Sequence, residues 1–180
     1  MRAAHGRQYP GLSARLTAIS LAAWLMLAAC GASLAQTAEC SLVEDPHNAP
    51  EKILRCGDEL SVRIARGTRY KLITREGQPL PSGAELDSGA LMIEGEKPFQ
   101  ILTPHAIAAV RGTKWAVEVK AKQSSTLVIS GAVEVKRRDG KRTVTLKDGE
   151  GVDVARGGGP LEVKRWKKKR VRALLARFGQ

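Results

Sequence analysis

From Leu60 onward the apolar residues of this chain recur at every second position in short runs: Leu60, Val62, Ile64; Leu91, Ile93; Phe99, Ile101; Val117, Val119; Leu127, Ile129; Val133, Val135; Val144, Leu146; Val152, Val154. A period of two puts such side chains on one face of an extended backbone, so each run predicts a half-buried strand. Turn residues separate the runs at Pro79 to Gly83, Glu94 to Pro98, Lys122 to Ser125, Ser130-Gly131, Asp139-Gly140 and Asp148 to Gly151. Asp139-Gly140 reads as a two-residue hairpin turn. Short antiparallel strands spaced by about ten residues, with no helical pattern between them, predict an all-β domain: a sandwich, a partly open barrel or a β-solenoid-like stack.

An internal repeat narrows this expectation. Arg66-Gly67-Thr68-Arg69-Tyr70-Lys71-Leu72 matches Arg111-Gly112-Thr113-Lys114-Trp115-Ala116-Val117, and Ser88-Gly89-Ala90-Leu91-Met92-Ile93 matches Ser130-Gly131-Ala132-Val133-Glu134-Val135, at offsets of 45 and 42 residues. The same order at nearly the same offset predicts two similar β-units of about 40 residues stacked on one core.

The start of the chain reads as a targeting segment. Arg2, Arg7 and Arg15 precede an uncharged run from Leu16 to Ala29, the layout of a signal peptide over residues 1–35. As a helix that run would span about 21 Å, short of the roughly 30 Å hydrocarbon core, which argues against a permanent anchor. Two processing routes stay open: cleavage after Ser33-Leu34-Ala35, or lipidation of Cys30 within Leu27-Ala28-Ala29-Cys30. Either route exports the chain to the periplasm or beyond. It also leaves Cys40 and Cys56 as an even pair in an oxidising compartment, so a disulfide closing an N-terminal segment over residues 36–56 is expected.

The chain carries a net charge of +12, from 30 Lys and Arg against 18 Asp and Glu. Much of that charge lies at the end, where Lys164, Arg165, Lys167, Lys168, Lys169, Arg170, Arg172 and Arg177 face Glu162 alone. Gly157-Gly158-Gly159-Pro160 forms a linker over residues 157–160. Beyond it Val171, Leu174, Leu175 and Phe178 fall at i, i+3, i+4 and i+7, predicting a basic amphipathic helix over residues 161–180. Such a helix either covers an edge of the β-domain or presents Lys164, Arg165, Lys167, Lys168, Lys169, Arg170 and Arg172 to an anionic membrane or polymer. Nucleic acid is not expected as a partner of an exported chain.

The stretch Phe99-Gln100-Ile101-Leu102-Thr103-Pro104-His105, then Ala109-Val110-Arg111-Gly112-Thr113-Lys114-Trp115, then Ile129-Ser130-Gly131-Ala132-Val133 and Leu146-Lys147-Asp148-Gly149-Glu150 resembles the FecR domain family. The likeness covers residues 85–155, or 57–155 with the upstream repeat, giving a FecR-like β-domain over residues 57–156. It implies an exported all-β module with solenoid-like character and a role in periplasmic recognition or signalling. The family's name-giving regulator spans the inner membrane and controls a sigma factor. Here only 15 residues precede the apolar run, too few for a cytoplasmic sigma-binding part. Iron is implied by the family's name and by no ligand set in this sequence.

The residues carrying the resemblance are Thr103, Pro104, Arg111, Gly112, Thr113, Trp115, Gly131 and Gly149. Their physical reading is mainly structural: glycines where the chain turns, Thr113 bonding to backbone, and Trp115 with its counterpart Tyr70 in the core. Arg111 either bridges local groups or is offered to a carboxylate or phosphate on a partner. His105 has no second His or Cys near it, and Glu85, Asp87, Glu94 and Glu96 read as solvent-facing rather than as an acid and base pair. The expectation is therefore a non-enzymatic binding module with no catalytic residues, no metal site and no cofactor, working through an envelope protein partner.

Overall fold

The computed structural model describes residues 39–44, 52–110 and 112–180, all within one compact unit, Thr37–Gln180. The expected signal peptide, Cys30 and Arg111 lie outside the described residues. Among the described residues thirteen strands follow in chain order: β1 (Cys40–Glu44), β2 (Lys52–Cys56), β3 (Leu60–Ile64), β4 (Arg69–Thr74), β5 (Pro81–Gly95), β6 (Phe99–Leu102), β7 (Ala106–Val110), β8 (Thr113–Lys120), β9 (Gln123–Ser130), β10 (Val133–Arg137), β11 (Thr143–Leu146), β12 (Glu150–Ala155) and β13 (Lys164–Arg165). One helix, α1 (Lys168–Leu175), and a 3-10 turn over Ala176–Phe178 end the chain. The architecture is all-β with a C-terminal helix, a single sheet curled into a half-barrel.

Strand β5 makes the curl. Its second half pairs with β3 and β8, and the ladder continues through β9 and β12 to β13. Its first half pairs with β4 and β6, and that layer continues through β7 and β10 to β11. The two layers close on a core that includes Val62, Leu86, Leu91, Phe99, Ile101, Trp115, Val117, Val128, Val135, Leu146 and Val152. Every alternating run named above lies in a strand and contributes to the buried side.

The duplicated segments fold alike. In each, a strand leads into a Gly-Thr joint, a second strand runs out and returns as a third, and a Ser-Gly-Ala step with a positive-φ glycine carries the chain onward, within the continuous β5 in the first copy and between β9 and β10 in the second. Arg69 pairs with Ser88 and Tyr70 with Leu86; Lys114 pairs with Ser130 and Trp115 with Val128. The same one-residue skip therefore falls at the same place in both copies. Gly67 and Gly112 have φ of 71° and 69°, and Gly89 and Gly131 both have φ of 97°.

Several boundaries differ from expectation. The turn read at Pro79 to Gly83 sits earlier, where Gly77 takes φ of 75° and Gln78 donates its N–H to the Arg75 carbonyl, and β5 already begins at Pro81. Ser124 and Ser125, read as turn residues, are buried in β9 because the reversal is complete at Lys122. The Asp139-Gly140 hairpin has a four-residue loop, Arg138 to Lys141, closed by the Arg137 N–H on the Arg142 carbonyl. The helix starts at Lys168 rather than 161, because Lys164 and Arg165 extend the β12 edge and the Trp166 N–H donates to the Gly149 carbonyl. The disulfide between Cys40 and Cys56 is present and staples β1 to the end of β2.

Candidate functional site

The joints of the two copies lie at opposite ends of the β5–β8 ladder, where Gly89 stands opposite Val119 and Thr113 opposite Gly95, and most of the motif residues gather at the Thr113 end. The Thr68 hydroxyl donates to the Ala65 carbonyl at 2.6 Å and accepts the Ala90 N–H at 3.1 Å. In the second copy Thr113 Oγ1 donates to the Ala132 carbonyl at 3.3 Å. A Cβ on Gly89 would lie 2.5 Å from the Thr68 Cα, and one on Gly131 would lie 3.0 Å from the Thr113 methyl. The Gly131 N–H also donates to Asp148 Oδ1 at 2.6 Å, and Gly149, with φ of 73°, turns the chain into β12. Gly112, Thr113, Gly131 and Gly149 are thus brought together, as hardware that joins strands.

Thr103 and Pro104 lie at the opposite end of the sheet, between β6 and β7. Thr103 Oγ1 donates to the Ala106 carbonyl at 2.8 Å and accepts the Ala106 N–H at 2.9 Å, which closes the turn on itself. The His105 Nδ1 contacts Ser124 Oγ at 2.9 Å, so this histidine is partnered within the fold. Burial first, then the charges of Arg156 and Arg137, push its pKa below the ordinary imidazole value. Trp115 is fully buried, and its indole N–H meets no acceptor. Glu94 pairs with Lys114 across the β5–β8 ladder at 3.1 Å, as a solvent-facing strand residue.

The basic tail folds back on the sheet. Leu174 and Phe178 are buried against Ala65, Ala90, Met92, Ala116 and Leu127, a second apolar cluster on the outer face of β5, β8 and β9. Alanines at three of these positions allow the helix to approach closely. Two arginines lock it down. Arg170 makes a two-pronged contact with Asp153 at 2.5 and 2.8 Å and stacks on Trp166, and Arg177 reaches Glu118 at 2.6 Å. Burial raises the Asp153 pKa, but hydrogen bonds from Arg170 and Ser125 with the charges of Arg170 and Lys164 outweigh it and hold the carboxyl below its ordinary range.

This arrangement divides the basic residues into two groups. Arg170 and Arg177 are spent on the fold, and Lys164 pairs with Glu162 at 2.5 Å. Lys167, Lys168, Lys169 and Arg172 stand exposed on the outward face. An open cleft of about 510 Å³ lies between the linker and the tail, lined among others by Asp153, Gly159, Lys164, Trp166, Lys167 and Arg170. One anchoring residue was not singled out from the sequence: Arg137, 6% exposed, donates to the Ala155 and Gly159 carbonyls and holds the linker against the sheet. Its position as the last residue of an alternating run was the available signal. Among the described residues no group of His, Cys, Asp and Glu is placed to hold a metal ion, and no helix is long and apolar enough to cross a membrane.

Residues 51–134 of this duplicated, turn-linked β-module match the family model described as FecR protein. The match starts upstream of residue 85 and takes in both copies of the repeat, from β2 into β10. Two crystal structures of a candidate anti-sigma factor from Parabacteroides distasonis ATCC 8503 share the fold, at 22% and 21% identity with TM-scores of 0.54 and 0.52. Each covers 77% of this chain, while this chain spans 61% of the length of either. No curated protein matches the sequence.

Proposed function

We propose that this chain is an exported, non-enzymatic binding module of the cell envelope that works by contact with a protein partner, as a sensor or scaffold. The observation that carries this reading is the match to the FecR family model over residues 51–134, in a fold shared with a candidate anti-sigma factor. A disulfide at Cys40–Cys56 supports an oxidising compartment such as the periplasm. The turns that carry the family motif do structural work, which leaves faces and edges of the sheet, rather than a pocket of reactive groups, as the working surface. In-cell cross-linking of a C-terminally tagged chain followed by mass spectrometry tests it. Capture of one envelope protein that survives removal of residues 160–180 supports the reading, and diffuse capture that vanishes with the tail overturns it.

A second reading has one observation in its favour. With Leu174 and Phe178 turned inward, Lys167, Lys168, Lys169 and Arg172 form an outward basic strip suited to an anionic membrane or polymer surface. Such contact is worth about 1 kcal/mol per basic residue at low salt. It weakens steeply as ionic strength rises, whereas a contact made by the β-sheet through strand pairing and apolar burial is less sensitive to salt.

A further inference from the structure

The duplication supplies a template for a docking site. In the second copy β8 is paired on both sides, by β9 and by the second half of β5. Its counterpart in the first copy, β4, is paired only by β5, and among the described residues its other edge is open. The consequence shows in burial. Trp115 and Val117 are fully buried, whereas Tyr70 and Leu72, which occupy the same places in β4, are only partly buried although they pack against the same core. Across the filled edge of β8, Lys114 stands opposite Glu94 and pairs with it. On β4 the equivalent of Lys114 is Arg69, which is exposed, and Lys71 is exposed two residues further on.

We infer that the free edge of β4 is a docking site for an extended segment of a partner protein, added antiparallel as a further strand. This rests on the partner-binding reading above and names the surface. The occupant's chemistry follows from the template: an acidic residue opposite Arg69, aliphatic side chains opposite Tyr70 and Leu72 that complete their burial, and a second acid suited to Lys71. Backbone pairing supplies the affinity and the alternate side chains supply the choice of partner. A second copy stacked head to tail is disfavoured, because the strand it would offer is the equivalent of the second half of β5, namely β10, and β11 already covers that edge. The remaining free edges are poorer: β13 has two residues, β11 has four, and β1 has no filled counterpart.

The test uses the full chain and a synthetic peptide of residues 87–97, the segment that fills the equivalent edge of β8. Hydrogen exchange is read with and without peptide. The expected result is slowed exchange of the outward amides of β4, with Arg69→Glu weakening the peptide by about threefold or more and a Glu94→Lys peptide restoring binding to that variant. Protection of β1, β11 or β13 instead, or indifference to both charge changes, overturns the proposal. So does slow exchange of those amides before peptide is added, since the edge is then covered by this chain itself. A cellular partner captured equally by wild type and Arg69→Glu overturns the edge while leaving the partner-binding reading intact. Peptide docking at β4 together with no cellular capture by the wild type supports the edge and sinks that reading.

Discussion

Gly89 and Thr68 are packed so closely that neither tolerates a change in the other's shape. Thr68 fills the space where a Cβ of residue 89 would lie, 2.5 Å from its Cα, and Gly89 holds φ of 97°. Both the contact and the backbone angle exclude an ordinary side chain. Gly89→Ala is therefore expected to destabilise the domain by about 3 kcal/mol or more. Gly131→Ala, with the same φ but longer first contacts, 3.0 Å to the Thr113 methyl and 3.1 Å to the Gly112 carbonyl, is expected to cost less, about 1–2 kcal/mol. Urea denaturation of the two variants gives the order; equal costs would show that φ alone sets the penalty.

Thr68→Val keeps the shape and removes the hydroxyl. That hydroxyl serves the Ala65 carbonyl and the Ala90 N–H, so both lose a partner in a half-buried turn. The expected loss is about 1–3 kcal/mol. Chemical denaturation checks it, and a Thr68→Ser variant is expected to recover most of the deficit because it restores the donor and acceptor.

How much of this was legible in the chain differs by element. The alternating runs placed β3, β6, β8, β10, β11 and β12, because each presents one apolar face to the core. Residues 81–90 escaped that pattern because β5 passes from one layer to the other along its length, so its inward face changes. The continuous apolar runs Ala90-Leu91-Met92-Ile93 and Leu127-Val128-Ile129 carried an unread message: residues buried on alternate faces mean that something covers the sheet from outside. The helix does so, with Met92 and Leu127 beneath Leu174 and Phe178. The repeat in the sequence pointed to the joining segments, but not to a difference between copies: among the described residues β4 pairs only with β5, whereas β8 is paired on both sides. Side-chain anchors such as Arg137 and the Arg170–Asp153 pair depend on residues far apart in the chain, which no local pattern reveals.

The helix is held mainly by apolar burial. Phe178 is fully buried at the second cluster, and Phe178→Ala removes its largest fully buried side chain. The expected loss is about 3–5 kcal/mol, confined to the attachment of the tail. Hydrogen exchange is expected to quicken across residues 168–178 while the strands around Trp115 stay protected. Global unfolding instead would make the helix part of the main cooperative unit.

Acid is expected to loosen the same attachment. The Asp153 carboxyl titrates below its ordinary range in the folded chain, so its contribution is present above the unfolded value of about 3.9 and is lost as pH falls through the lower folded value. Near neutral pH the contact is therefore intact. Carbon NMR of the Asp153 carboxyl follows the titration, and Arg170→Gln is expected to move its midpoint upward. A midpoint unaltered by Arg170→Gln would assign the depression to Ser125 and Lys164.

The Cys40–Cys56 bridge ties down a strand that has little else to hold it. All five residues of β1 are exposed, Leu42 and Val43 among them, and within the ladder β1 pairs only with β2, whereas β2 also pairs with β3 and buries Ile53, Leu54 and Cys56. Closing a loop across a sequence separation of 16 stabilises the fold by about 3 kcal/mol when the released segment is part of the cooperative unit. Because β1 buries almost nothing, reduction is expected to free β1 first and to leave β2 and β3 paired. Amide exchange under reducing conditions then shows fast residues at 40–44 and slow ones at 60–64. Simultaneous loss of both would mean that β1, despite its exposure, closes the end of the core.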